Sequence, residues 1–398
     1  MDSQLSATDE TFRREVRSFL NENLSEELRE AGRKKTSIWQ EINSAMAWQK
    51  MLFDKGWVAP EWPLEYGGTD WSLTQRYIFS QECARAETPS ISPMGLKMCG
   101  PMLIGYGTEK QKNYYLPKIM SGEHIWCQGY SEPGAGSDLA SLKTFAASEG
   151  DDYIVNGTKI WTSFAQHSNM MFALVRTSTE GKVQQGISFL LIDMDTPGIK
   201  IEPIINLEGS HELNQVFFDD VRVPKANRVG KENDGWSVAK YLLEFERFSI
   251  SSIELRRLIN RIRRLANETD TTGSSLASDP AFLRKLAQLE INALAMETSE
   301  QRVLANLSAG NRPGSVSSVL NAISAETLQK ADELAIEVAA YYGLPYQPAA
   351  LEVRGPPAIG STMTLPLMPS YMNNRMRTIA GGSAEVQRNI VAKAILEL

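Results

Sequence analysis

The chain has 398 residues, 42% hydrophobic and 22% charged, with a formal net charge of −7. That length suits two or three domains with their own cores, and the negative balance argues against a nucleic-acid partner. The polar start lacks a secretion-signal core, no apolar run can span a bilayer, and three scattered cysteines make no disulfide framework. These features predict a soluble cytoplasmic protein with no membrane partner. The three histidines lack ligand spacing, so no metal site is predicted.

Residues 1–123 read as an N-terminal helical domain. "DETFRREVRSFLNENL" puts Phe12, Val16, Phe19 and Leu20 on one face, with Thr8 or Asp9 as the expected cap. A second helix closes on Gly56, and further helical stretches follow to "TEKQKNYYLPKIMSGE". Residues 124–230 change to short β-branched and aromatic runs, among them "IWCQGY", "DYIVNGTKIWTSF", "GISFLLIDM" and "NQVFFDDVRVP". Five or more such runs predict a small antiparallel barrel or sandwich, with Asn156-Gly157 as a hairpin turn. Residues 231–398 return to helical periodicity as a C-terminal bundle. Its first helix is expected to run unbroken through "GWSVAKYLLEFERFSISSIELRRLINRIRRLANE", and its last starts at Ser383 as N-cap. The fold class is therefore α+β: helices, then a β-domain, then a bundle.

Two glycine-rich loops draw attention. Ile379-Ala380-Gly381-Gly382-Ser383 leaves main-chain N–H groups open at a helix start, which suits an electronegative ligand as well as a capped turn. "GYSEPGAGSDLAS", residues 129–141, follows a strand but lacks both a P-loop Lys-Ser/Thr and a helix-opening dinucleotide fingerprint. Its amides and hydroxyls suit a flat, acceptor-rich heterocycle.

"YSEPGAGSDLAS", "DYIVNGTKIWTS", "NQVFFDDVRVP", "YGTEKQKNYYLPKIMSGE" and "AEVQRNIVAKAIL" closely resemble the acyl-CoA dehydrogenase family, in order and over essentially the whole chain. The resemblance implies an N-terminal helical domain, a middle antiparallel β-barrel domain and a C-terminal four-helix bundle. It also implies FAD as cofactor and an acyl-CoA substrate that gains a C2–C3 double bond. By the same resemblance Gln128, Tyr130, Ser131, Gly136, Ser137, Trp161, Thr162, Ser163, Ser383 and Glu385 lie at the cofactor. Ser131 matches the hydroxyl beside the flavin's pyrimidine edge, and Trp161 with Ser163 matches the Trp-x-Thr that packs on the ring. Ser137, Arg247, Ala380 and Gly381 match substrate positions.

The reaction needs a carboxylate to take the α-proton and flavin N5 to accept hydride. Many relatives carry the base in a Tyr-Glu-Gly-Thr motif, which here reads Ala380-Gly381-Gly382-Ser383. Either the chain is not a dehydrogenase or its base sits elsewhere. Glu244, with Lys240 at i−4 and Arg247 at i+3, reads as a solvated surface acid. Glu246 has Leu242, Leu243, Ser249 and Ile250 at i±3 and i±4, so it is either a general base or half of a buried ion pair. A desolvated carboxylate has a raised pKa, which suits a base near neutral pH. A minority of the family, isovaleryl-CoA-type enzymes among them, carries its base at this position followed by Arg, as in Glu246-Arg247.

Two family segments that reach a neighbour's FAD are missing. The Arg-x-x-Phe-Gly segment has no counterpart in "NETDTTGSSLASDPAFLRKL", and the Gly-Gly-x-Gly loop is replaced by Tyr341-Tyr342-Gly343-Leu344-Pro345. This pattern resembles the base-carrying large subunit of heteromeric acyl-CoA dehydrogenases of the pimeloyl-CoA and steroid side-chain type. It implies an α2β2 assembly with a homologous subunit and an electron-transfer flavoprotein as acceptor. An acyl-CoA oxidase of the same fold and a non-catalytic structural subunit are the alternatives. Small residues at 380 and 381 widen the expected acyl pocket toward bulky groups.

Overall fold

Hydrophobic spacing and polar caps set the helices. The computed structural model describes residues 5–247, 251–268, 275–308 and 316–398; the side chains of 244–247 and 307–308 lie outside the described set. Six helices open the chain: α1 (Ala7–Asn23), α2 (Glu26–Lys34), α3 (Ile42–Lys55), α4 (Leu73–Arg85), α5 (Gly100–Tyr106) and α6 (Glu109–Ser121). The cap of α1 is Ser6, two residues before Thr8 and three before Asp9, the expected candidates. Its hydroxyl accepts from Asp9 N at 3.1 Å and donates to Asp9 Oδ2 at 2.6 Å, so Asp9 serves as the first-turn acid instead. Ser72 with Gln75 and Thr108 with Gln111 form capping boxes that start α4 and α6.

Eight strands follow: β1 (Trp126–Gly129), β2 (Phe145–Glu149), β3 (Asp152–Lys159), β4 (Met170–Arg176), β5 (Ile187–Asp193), β6 (Ile199–Ile205), β7 (His211–Pro224) and β8 (Arg228–Val229). Among the described residues, seven helices close the chain: α7 (Gly235–Arg247), α8 (Ser251–Ala266), α9 (Pro280–Ser308), α10 (Val316–Ala339), α11 (Pro348–Leu351), α12 (Leu367–Asn373) and α13 (Ala384–Ala394). Both halves of the long helix expected after residue 235 are helical, as α7 and α8; the join at 248–250 lies outside the described residues.

The described chain separates into two units. One comprises Met1–Trp48, Asp70–Ser90 and Arg247–Leu398; the other comprises Gln49–Thr69 and Ile91–Glu246. The first is helical. Leu255, Ile259 and Ile262 of α8, Phe282, Leu286, Leu289, Ala293 and Met296 of α9, and Leu328, Ala331 and Ala335 of α10 share its core. Their three- and four-residue spacing is the stripe a helix presents to a bundle.

Asp332 interrupts this apolar interior. It is 2% exposed and accepts one bond, from Asn374 Nδ2 at 2.8 Å. Burial raises its carboxyl to about 7, against the pull of Asn374 and Arg377. A carboxyl whose pKa is higher folded than unfolded adds stability below its unfolded pKa, about 4, and loses it as pH rises to about 7. At about 1.4 kcal/mol per unit, the loss is at most about 4 kcal/mol. Asp332→Asn should therefore gain stability relative to the parent between pH 5 and pH 8. Urea melts at the two pH values check this, and an unchanged difference between the proteins counts against it.

The second unit holds the sheet, in the order β6-β7-β3-β2-β4-β5-β8, with β1 beside β4. The expectation of an antiparallel sheet needs correcting at two places: β1–β4 and β2–β4 run parallel. The β2–β3 hairpin lies between β1 and β4 in sequence, so β4 returns in the same direction as β1. The hairpin turn expected at Asn156-Gly157 is also corrected. Both residues lie inside β3, and the turn is made at Gly150-Asp151. Asn156 instead faces a β-bulge. Val155 pairs with Val221 and Gly157 with Phe218, so Asp219 and Asp220 together oppose one residue. Asn156 clasps the bulge, with Nδ2 donating to Asp220 Oδ1 and Oδ1 accepting from Asp220 N, both at 2.9 Å. Gly157 has φ +146°, and a Cβ there would come within 2.6 Å of Thr144 Oγ1. The dipeptide thus serves close approach and not a chain reversal.

Candidate active site

The loop after β1 is tied to the end of β3. Glu132 N donates to Ala135 O at 2.9 Å and Ala135 N returns a bond to Glu132 O at 3.0 Å, closing a turn over Pro133-Gly134. Ile160 N donates to Ser131 O at 2.9 Å. Below them lies a buried ion pair that the sequence reading did not single out. Lys159 Nζ, fully buried, donates to Glu132 Oε1 at 2.8 Å and to Tyr130 O at 3.1 Å. Glu132 also accepts from Lys143 N at 2.6 Å and Thr144 N at 2.9 Å. Burial pushes the Glu132 carboxyl up, but Lys159 and these donors hold it below its ordinary range. Burial draws the Lys159 ammonium down to about 8 against the pull of Glu132, so the pair is ionised at neutral pH. A signal was present: Tyr153, Val155 and Lys159 share the inward phase of β3.

Lys159→Met leaves a buried carboxylate without its cation. The expected cost is about 3–5 kcal/mol, with much of it recovered when Glu132→Gln is added. Denaturant melts of the single and double variants check this; a single variant as stable as the parent would refute it.

Past Lys159 the backbone turns sharply. Trp161 has φ +60°, uncommon for a bulky side chain, and its indole is 57% exposed. Thr162 is buried, and its Oγ1 has no hydrogen-bond partner among the described residues. Asn214, fully buried on β7, holds Thr162 from both sides. Its O accepts from Thr162 N and its Nδ2 donates to Thr162 O, each at 3.0 Å. Ser131, Ser163 and Gln128 are partly buried, Tyr130 is buried, and Gly136 and Ser137 are exposed. A Cβ built at Gly134 or Gly136 would meet nothing within 4 Å. The structure thus brings Gln128–Ser137 and Trp161–Ser163 to one place on the sheet unit.

Ala380, Gly381, Ser383 and Glu385 lie on the helical unit, whereas Glu246 ends the sheet unit and Arg247 begins the last stretch of the helical one. Ser383 caps α13, accepting from Val386 N at 3.3 Å, as its sequence position predicts. Ala380 and Gly381 are exposed, with Gly381 at φ +70°. The expectation of open N–H groups fails at two of these positions, because Ile379 N and Ala380 N both donate to Met376 O at 2.9 Å. The preceding 3-10 turn ends there and uses them. The main-chain N–H of Glu385 and the Ser383 hydroxyl hold the Glu385 carboxyl below its ordinary range. Glu246 and Arg247 belong to α7 by their backbone; their side chains lie outside the described residues.

Comparison with known families gives the decisive match. Three descriptions, "Acyl-CoA dehydrogenase, N-terminal domain", "middle domain" and "C-terminal domain", match residues 6–123, 127–221 and 233–396. The chain belongs to the acyl-CoA dehydrogenase family. Acyl-CoA dehydrogenase IpdE1 of Mycobacterium tuberculosis is 35% identical over 396 residues, covering 98% of this chain and 97% of the relative. Among solved structures, the Tcur3481-Tcur3483 steroid ACAD superposes with TM-score 0.85 at 29% identity, over 100% of this chain and 99% of that one. The ChsE4-ChsE5 complex from Mycobacterium tuberculosis gives TM-score 0.82 at 30% identity, with 100% and 99% coverage. Acyl-CoA dehydrogenases are oxidoreductases whose cofactor is FAD, and the residues present fit a flavin. A flat exposed indole, an orphaned buried hydroxyl and an unobstructed glycine loop stand together on the acyl-CoA dehydrogenase middle domain. Among the described residues no helix is long and apolar enough to cross a membrane.

Proposed function

We propose that this chain is the base-carrying subunit of a heteromeric acyl-CoA dehydrogenase that desaturates a bulky acyl-CoA. The observation that carries the reading is Trp161, exposed on a strained backbone beside the unpartnered Thr162 hydroxyl. Trp161 would stack on the flavin, while Ser131, Thr162 and Ser163 would offer it hydroxyls and main-chain groups. When bound, FAD supplies the hydride acceptor at its N5. Ser137, Ala380 and Gly381 would border the thioester, and Glu246 on α7 would take its α-proton, with Arg247 beside it. The boundaries 1–123, 124–230 and 231–398 belong to this proposal. Three cysteines without disulfides suit a reducing cytoplasm.

The heteromeric part rests on three supports. The relatives above are described as the ChsE4-ChsE5 complex and the paired Tcur3481-Tcur3483 ACAD. The segments that reach a neighbour's FAD are missing from the sequence. In place of one of them the chain exposes apolar side chains: Tyr341 at 85%, Leu344 at 63% and Tyr346 at 69%. Such a cluster on a surface marks an interaction site. A bulky acyl group, steroid side-chain-like or dicarboxylyl, is the reading that these relatives and the small residues at 380 and 381 support.

Co-purification with homologous chains, then a panel of acyl-CoAs scored by flavin bleaching, tests the proposal. Anaerobic bleaching by a bulky acyl-CoA, with re-oxidation by an electron-transfer flavoprotein, is the expected result. Rapid re-oxidation by air assigns an oxidase, and no bleaching with any thioester assigns a structural subunit.

A further inference from the structure

The buried pair beneath residues 129–141 touches one peptide of the loop with its positive end. Lys159 Nζ donates to Tyr130 O at 3.1 Å, while Glu132 stands on its other side at 2.8 Å. The carboxylate is shared out. It accepts from Lys143 N and Thr144 N as well as from Lys159. It also acts on Arg176, a half-buried cation at the end of β4. Arg176 donates only to main-chain carbonyls, of Ala140 at 2.7 Å, Leu142 at 3.2 Å, and Val183 and Gln185 at 3.1 Å. Burial draws Arg176 below its ordinary range, and Glu132 opposes this. Glu132 therefore offsets Lys159 incompletely, and the pair is a dipole whose positive end sits on Tyr130 O.

The peptide between Tyr130 and Ser131 passes that charge on. It is trans, so its N–H points away from its C=O and hence away from Lys159. The Ser131 N–H and hydroxyl have no hydrogen-bond partner among the described residues. Ser131 O accepts from Ile160 N at 2.9 Å, so the residue is held by its carbonyl and offers two donors. A bond to a carbonyl polarises the peptide and strengthens the N–H at its other end. The effect is larger when the donor is an ammonium withdrawn from water. Such an N–H does most for an acceptor that gains negative charge during reaction. A flavin ring is one, because hydride brings it two electrons and only one proton.

We propose that Lys159 is a positioning residue for the cofactor: through the Tyr130–Ser131 peptide, its charge favours the reduced flavin over the oxidised one. The pair then does more than hold the loop, and sets how readily the flavin takes hydride. This rests on the flavin reading of the loop given above.

The test is the flavin's reduction potential in the FAD-loaded assembly, measured against reference dyes at neutral pH without substrate. Lys159→Met combined with Glu132→Gln removes both charges together, and by the prediction above it regains much of the stability that Lys159→Met alone loses. Its reduction equilibrium should still fall about 10-fold, or about 30 mV for a two-electron couple, the difference between a charge-assisted and a neutral hydrogen bond. A loop that had merely loosened would weaken oxidised and reduced flavin alike and leave the potential in place. Lys159→Gln combined with Glu132→Gln is the second neutral pair, should the first fail to fold, and the same fall is expected of it. A neutral pair with the parent's potential overturns the proposal, leaves Lys159 a structural residue and leaves the flavin reading intact. A parent assembly that holds no flavin overturns that reading, and this proposal with it.

Discussion

Glu246→Gln is expected to fold and bind FAD as the parent does, while turnover falls by about 10²–10⁴-fold, the usual cost of losing a general base. The substitution keeps shape and removes only the group that accepts a proton. Glu246 lies on α7, whose Leu242 is fully buried, so this stretch of the helix borders an apolar interior. Glu244, on a different face of the same helix, supplies the control. Glu244→Gln should leave turnover within a few-fold of the parent, as surface changes generally do. The measurement is the rate of flavin bleaching by substrate under anaerobic conditions, beside flavin absorbance and melting temperature for both variants. Near-parental bleaching by Glu246→Gln would remove Glu246 from the reaction.

The chain expressed alone is expected to bind FAD poorly and to gain it on co-assembly with a homologous partner. In the proposed flavin site, Ser131, Trp161 and Ser163 make up the ring side. The two segments that would reach a neighbour's pyrophosphate and adenosine are absent. In a symmetric homodimer every site repeats the same deficiency. Each missing charge-assisted hydrogen bond is worth about 1.5–3 kcal/mol, so two or three of them weaken binding by about three orders of magnitude or more. A mixed assembly supplies the missing half at one site per pair, which gives about two FAD per four chains. Flavin absorbance per chain and native mass, for the lone and co-expressed proteins, decide the matter. A homotetramer of this chain with one tightly held FAD per subunit would sink the heteromeric reading.

The helices and strands were legible because their burial is periodic. Phe12, Val16, Phe19 and Leu20 announce α1, and alternation announces β7. The loop 129–141 was legible as a family motif. Local turn chemistry misled at Asn156-Gly157, because a two-residue turn and the clasp of a bulge use the same residues, and only the partner strand tells them apart. Lys159 was missed for a related reason. A lysine is usually a surface residue, and the acid that lets it be buried, Glu132, lies 27 positions away in sequence. Asn214 is likewise bound to Thr162 only through the pairing of distant segments.

The bulge at Asp219-Asp220 has a further consequence. Before it the buried positions of β7 are even-numbered, Asn214, Val216 and Phe218; after it they are odd-numbered, Val221 and Val223. The extra residue reconciles two demands that a regular strand cannot meet together. One half of β7 must present Asn214 to Thr162, and the other must present its valines to the interior. A chain that lost one of the two aspartates would have to turn one of these sets toward water. Length variation in this strand should therefore be tolerated in steps of two residues and not of one. A single-residue deletion far from any glycine loop would reach the proposed flavin site through the parity of the strand.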